Sequence, residues 1–270
     1  MKTICLANHK GGCAKTTTAL NLAVALAQKG ARVLAVDLDP QGNLSVALGA
    51  NLAELESTKR TSLRLLLEPN HDYSDYIVAA RPRLDLLPCC LDAEIKTALD
   101  SLSFSRELKL KRKLEAAQSD YDYCVIDTPP ALEVPTLNGL VLADLVIVPV
   151  ETSLFALVGL TQLLQTIAGV RAEHQPQQLV MALSTIHTAR QVLDRELRDK
   201  VIERFTSDLV FETCIPRTIA VGEATASRRA IVETDPSNAA TFAFFKLIAE
   251  IKELLNEQPQ ATRANKRESR

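Results

Sequence analysis

The chain has 270 residues, with 31 lysines and arginines against 33 aspartates and glutamates, a formal net charge of −2, and 47% hydrophobic content. That is enough apolar material for one large α/β domain, and the near-neutral balance means that any contact with nucleic acid must come from a local patch. Met1-Lys2 leads at once into an apolar run with no basic and apolar leader, and no apolar stretch reaches bilayer length, so the expectation is a cytoplasmic protein with no membrane partner.

Thr3 to Asn8 reads as a buried strand, Thr16 to Lys29 as a helix with apolar residues at helical spacing closed by Gly30, and Arg32 to Asp37 as the next strand. Between the first two lies Asn8-His9-Lys10-Gly11-Gly12-Cys13-Ala14-Lys15-Thr16-Thr17-Thr18. A strand that delivers the backbone into a small-residue turn at a helix N-terminus brings N–H groups and the positive end of the dipole onto an anion. Lys15 then supplies a point charge on the phosphates, and the Thr16 hydroxyl a ligand for Mg²⁺. The ordinary loop, Gly-x-x-x-x-Gly-Lys followed by Thr or Ser, is not matched, because His9 and Ala14 stand where its glycines belong. At Ala14 a negative φ would make the methyl harmless, whereas a positive φ would cost about 1 kcal/mol. Cys13, beside two lysines and a helix start, is either a thiol with a lowered pKa or a small filler.

The second strand ends in Asp37-Leu38-Asp39-Pro40-Gln41-Gly42-Asn43, which sets two carboxylates on one face at a strand's carboxyl end. Asp-Pro and Gln-Gly-Asn also form turns, so Asp39 either serves the site or caps one. Residues 44–102 say less: a short helix from Leu63 to Leu67, a mixed stretch from Asp72 to Ala80, a brief strand from Leu84 to Pro88, and a helix from Asp92 to Leu102. Arg106 to Ala117 reads as one further helix, basic through Lys109, Lys111, Arg112 and Lys113, which is either a solvated face or an aid to holding DNA. Tyr123 to Asp127 is an apolar strand ending in a carboxylate, the arrangement that holds Mg²⁺ through water, and Thr128-Pro129-Pro130 follows as a stiff loop.

Thr136 to Ala143 is expected as a helix and Asp144 to Val150 as a strand. Ser153 to Val170 reads as a helix, Leu179 to Ser184 as a strand, Gln191 to Phe205 as a helix and Val210 to Ile215 as a strand leading into Pro216-Arg217. Asn238 to Asn256 is a final helix whose phenylalanines and isoleucines suit a core. The six cysteines show no ligand spacing and read as reduced packing residues.

Lys10-Gly11-Gly12-x-x-Lys15-Thr16-Thr17, with a second lysine before the glycine pair, resembles the loop of the ParA/MinD group of deviant Walker ATPases. The Asp37-x-Asp39-Pro stretch, the Asp127 strand and Pro216-Arg217 with Glu223-Ala224 resemble the later motifs of ParA-type partition ATPases in the same order. The resemblance implies an α/β, single-domain P-loop NTPase fold, a mostly parallel central sheet flanked by helices on both faces, over residues 1–257; the composition of 258–270 reads as a polar basic disordered tail. It implies ATP and Mg²⁺ as cofactors. Gly11, Gly12, Cys13, Ala14, Lys15, Thr16 and Thr17 would line the phosphates, Pro216 and Arg217 the adenine, and Thr16, Asp39 and Asp127 the metal. Lys10 would cross a dimer interface to the partner's nucleotide, and Asp39 would orient the attacking water.

The implied activity is slow, partner-stimulated ATP hydrolysis in a homodimer that forms on ATP. The implied partners are a ParB-like or other cargo adaptor and non-specific double-stranded DNA of the nucleoid, bound through Arg217, Arg228 and Arg229. Arg217 is alternatively a stack on adenine, and Arg228-Arg229 alternatively a solvated surface. The sequence departs from the family at Ala224 to Arg229, where a proline and a glycine are more common, so the shape of that loop is open. The other reading, a MinD-like membrane-associated positioning ATPase, needs an amphipathic C-terminal anchor, and the tail lacks the aromatic or leucine face for one.

Overall fold

The apolar runs become strands of one eight-stranded sheet in the order β3-β4-β2-β5-β1-β6-β7-β8. This computed structural model describes residues 1–92, 94–102, 105–151, 160–188 and 209–256. The strands are β1 Lys2–Leu6, β2 Val33–Asp37, β3 Val78–Arg81, β4 Leu84–Leu87, β5 Tyr123–Asp127, β6 Leu145–Glu151, β7 Leu179–His187 and β8 Val210–Pro216. Every neighbouring pair is parallel except β3 with β4. The helices are α1 Lys15–Gln28, α2 Asn43–Ala47, α3 Leu52–Thr58, α4 Ser62–Leu67, α5 Ile95–Asp100, α6 Lys109–Lys113, α7 Val134–Leu142, α8 Leu160–Glu173, α9 Ile219–Ala226, α10 Ile231–Thr234 and α11 Ala239–Asn256.

Because side chains alternate along a strand, each buried strand feeds two cores. Ile4, Leu6, Val33, Ala35 and Val125 face α1, α10 and α11. Cys5, Leu34, Val36, Cys124 and Ile126 face α4, α6, α7 and α8. On α11, Phe244, Leu247 and Ile251 are fully buried, and each contributes roughly 1.5–3 kcal/mol by leaving water. Buried Asn21 of α1 accepts from the Ile231 N–H at 2.8 Å and so ties α1 to α10. The outer edge of β8 is covered by α11, whose Glu250 carboxylate accepts from the Glu212 and Thr213 N–H groups at 3.0 and 3.1 Å.

Several expectations shift. The single helix over Arg106 to Ala117 is instead the short helix α6 between two 3₁₀ turns. Its Lys113 is no solvated cation, since Nζ donates to the carbonyls of Glu68, Pro69 and His71. The mixed stretch from Asp72 resolves into a 3₁₀ turn and the antiparallel edge strand β3, and residues 43–58, which carry no clear periodicity, form α2 and α3. The expected helix over Gln191 to Phe205, the first residues of the Ser153 helix and the tail at 258–270 lie outside the described residues.

Candidate nucleotide-binding site

Parallel pairing brings the carboxyl ends of the central strands to one edge of the sheet, and the chemistry of the sequence is concentrated there. Leu6 and Asp37 both stand opposite Asp127 in register, so the ends of β1, β5 and β2 lie side by side, and the loop after β1 emerges between the ends of β5 and β6. Residues Gly11, Gly12 and Ala14–Thr17 line a cleft of about 580 Å³ with Asp39, Gln41, Asn43 and Pro130. Ile186 and the segment from Ile215 to Thr218 with Val221 close its other side.

The loop is held from beneath. Asn8 donates to the Pro149 carbonyl at 2.6 Å and accepts from the Lys10 N–H, and Thr185 Oγ1 donates to the Cys13 carbonyl at 3.0 Å. Ala14 adopts φ 68 and ψ 31, so its methyl is carried in the left-handed region at a cost of about 1 kcal/mol. Cys13 is 1% exposed, and burial pushes its thiol up despite Lys15 and Lys10. It is a packed filler and not an activated thiol. Lys15 is buried, with Nζ donating to the Lys10 carbonyl at 3.1 Å across the loop.

Thr16 Oγ1 donates to Asp127 Oδ2 at 2.6 Å, while Asp127 Oδ1 is buried without a hydrogen-bond partner. Burial pushes the Asp127 carboxyl well up, and the nearby Asp37 carboxylate adds to the shift. A buried oxygen with a free lone pair beside a threonine hydroxyl is a donor set that fits Mg²⁺, which would supply the missing partner and offset the charge.

Asp37 and Asp39 separate in role. Asp37 accepts from the Asp39 N–H at 3.0 Å and from Ser45 N and Oγ at 2.9 and 2.8 Å. Burial raises its carboxyl, and these bonds pull the other way. It is therefore an internal brace of the turn that carries Asp39. Asp39 faces the cleft, its Oδ1 fixed by the Gln41 N–H at 2.9 Å. Gly42 closes this turn at φ 64, where an added Cβ would lie 2.6 Å from the Cys89 carbonyl oxygen, so no larger residue fits.

The three arginines do not form one cluster. Arg217 lines the cleft and lies 3.9 Å from Glu151, whereas Arg228 and Arg229 follow α9, about 12 Å of helix further on. Glu151 was missed by sequence reasoning. It also holds Lys10 Nζ at 2.8 Å, and its signal was the same as that of Asp127: an apolar strand ending in a carboxylate.

A lysine-bearing loop between a central strand and a helix, faced by a carboxylate at the end of the adjacent strand, defines a P-loop NTPase. The AAA domain family profile matches residues 1–181. The sporulation initiation inhibitor protein Soj of Bacillus subtilis is 37% identical over 93% of this chain and 98% of its own length. The chromosome partitioning protein ParA of Caulobacter vibrioides is 37% identical over 93% and 94%. Among solved structures, cobyrinic acid a,c-diamide synthase of Mycobacterium smegmatis with a bound ATP analogue and magnesium superposes with a TM-score of 0.83 at 32% identity, covering 96% of this chain and 97% of that one. McdA of Cyanothece shares the fold, with a TM-score of 0.81 at 24% identity. The chain belongs to the ParA/Soj-type branch of the P-loop ATPases. No helix among the described residues is long and apolar enough to cross a membrane.

Proposed function

We propose that this protein is a positioning ATPase that binds Mg²⁺-ATP, dimerises on it, holds non-specific double-stranded DNA in that state and releases on hydrolysis stimulated by a ParB-like or other cargo adaptor. The observation that carries the nucleotide part is the Thr16–Asp127 pair with its unpartnered carboxylate oxygen, set beside Lys15 at a helix N-terminus. Thr16 and Asp127 would hold Mg²⁺, with Asp39 at its margin, and the ion would neutralise charge on the phosphates. The backbone of Gly11 to Thr17 would cradle the phosphates, and Lys15 would place its ammonium on them. Pro216 and Arg217 would flank the base. Asp39, braced by Asp37 and Gln41, would accept a hydrogen bond from the attacking water and orient it.

Lys10 supports the dimer. Its ammonium points out of its own loop to Glu151, so it is poised to act on a second subunit's nucleotide. The family pattern adds Arg217, Arg228 and Arg229 as DNA contacts, which a dimer would duplicate. Light scattering and DNA binding in ATP test the reading. Lys15→Ala should lose nucleotide binding, Lys10→Ala should keep it and stay monomeric, and Asp39→Ala should accumulate as an ATP dimer on DNA. A monomeric Asp39→Ala protein in saturating ATP would contradict the scheme.

A further inference from the structure

Five cations from three separate parts of the chain meet on the face of the molecule formed by the carboxyl end of α1, the β3–β4 turn and the start of α10. The Arg83 guanidinium donates to the Gly30 carbonyl at 3.1 Å, one residue from Lys29, whose ammonium lies 4.6 Å from the centroid of the Phe245 ring on α11. Two residues back, Arg81 donates to the Arg228 carbonyl at 2.8 Å and to Leu48 O at 3.1 Å, and its Nε lies 2.9 Å from Glu233. Lys29, Arg83, Arg81, Arg228 and Arg229 thus lie along one strip of adjoining elements, tied by the Arg83–Gly30 and Arg81–Arg228 backbone contacts, with all but Arg81 exposed.

The carboxylates around it are few and mostly committed. Glu233 is engaged by Arg81 and by the Ala230 N–H, Asp122 pairs with Arg32 at 3.1 Å, and Asp235 accepts from Ser237 and Asn238. Glu223, one turn before Arg228, is exposed and leaves the strip positive on balance. Among the described residues no carboxylate pairs with Lys29, Arg83, Arg228 or Arg229.

The backbone adds an independent sign. Arg228 sits at φ 55 in the turn that ends α9, where Arg229 N bonds back to the Ala224 carbonyl at 3.0 Å. That geometry is cheapest for glycine, yet the chain spends it on an arginine aimed at solvent and held by Arg81. Arg83 also lies in the left-handed region, at φ 62.

We propose that this strip is the surface that receives the phosphate backbone of double-stranded DNA, with Lys29 and Arg83 joining Arg228 and Arg229 in touching phosphates. Arg81 is the brace beneath them, and Arg217, at the nucleotide cleft, lies outside this strip. The inference rests on the DNA-binding part of the proposed function and specifies where it resides. A row of guanidinium and ammonium groups without base-reading side chains matches sequence-independent, salt-sensitive binding.

Fluorescence anisotropy on a random duplex of about 30 base pairs, titrated with KCl in ATP, measures the number of phosphates neutralised from the salt slope. Lys29→Gln with Arg83→Gln should weaken binding about 10-fold or more and make the slope shallower by about one for each phosphate no longer neutralised. Arg83→Lys, which keeps the charge, should keep the slope. An unchanged slope in the Lys29/Arg83 double variant, with a reduced one in Arg228→Gln/Arg229→Gln, would overturn the strip and leave DNA binding standing. Absence of duplex binding by the ATP-loaded wild-type protein would overturn the reading beneath it. Tighter binding to phosphatidylglycerol vesicles than to duplex would overturn DNA as the occupant.

Discussion

Lys10 and Glu151 are 141 positions apart in the chain, yet the Lys10 ammonium lies 2.8 Å from the Glu151 carboxylate at the rim of the nucleotide cleft. Both side chains keep partial access to water, at 31% and 24%, so the pair is worth at most about 1 kcal/mol and can be exchanged for another partner. Glu151→Gln removes the competitor for Lys10. Each subunit then loses up to about 1 kcal/mol of holding energy, and the dissociation constant of the proposed dimer in a non-hydrolysable ATP analogue should fall roughly 5- to 30-fold. Sedimentation equilibrium reads this directly. A weaker dimer would show that Glu151 serves the assembled state instead.

Ala14 carries its methyl at φ 68, a conformation that glycine adopts without strain. Ala14→Gly should therefore stabilise the free protein by about 0.5–1 kcal/mol, and raise its melting temperature by about 2 °C. Nucleotide binding should survive, because the loop's path is unchanged. A loss of stability on calorimetry would mean that the methyl contributes packing that outweighs the strain.

Gly42 accepts no side chain, since a Cβ there would lie 2.6 Å from a backbone oxygen and φ is 64. Its N–H also closes the turn on the Asp39 carbonyl at 2.9 Å. Gly42→Ala should cost roughly 2–4 kcal/mol in chemical denaturation, and the displaced turn should lower ATP turnover more than ATP affinity.

Asp92 is buried against the Arg64 guanidinium at 2.6 Å. Burial pushes its carboxyl up, but the hydrogen bonds from Arg64 and the Glu94 N–H outweigh this and hold it below the usual carboxylate range. A pKa lowered in the folded state contributes stability above the unfolded value, near pH 4, that is lost as pH falls through the folded value. Asp92→Asn should cost about 1–3 kcal/mol at neutral pH, with the gap to wild type closing below about pH 4. A gap that stays constant through pH 3 in urea melts would remove the ion pair as its cause.

The site divides by the range over which its parts interact. Lys10 to Thr17, the Asp39 turn and the Asp127 strand were legible in the sequence, because each is a local device in which residue type, spacing and backbone direction are set within a dozen positions. The covered faces of the sheet were legible for the same reason, in strands such as Tyr123–Asp127 that are apolar on both sides. The short helices α2 and α3 were not, since each is too brief to show a helical period.

Only the tertiary structure decided which distant residues meet. Spacing along the chain does not say that β6 lies beside β1, and so it could not bring Glu151 to Lys10. Nor could the Asp-x-Asp pattern distinguish the internal brace at Asp37 from Asp39 in the cleft, because burial and hydrogen-bond partners arise from Ser45 and the following turn. The sequence determined that this protein carries a phosphate loop with two lysines. The fold determined where the first of them rests, because an ion pair depends on distance in space and not on separation along the chain.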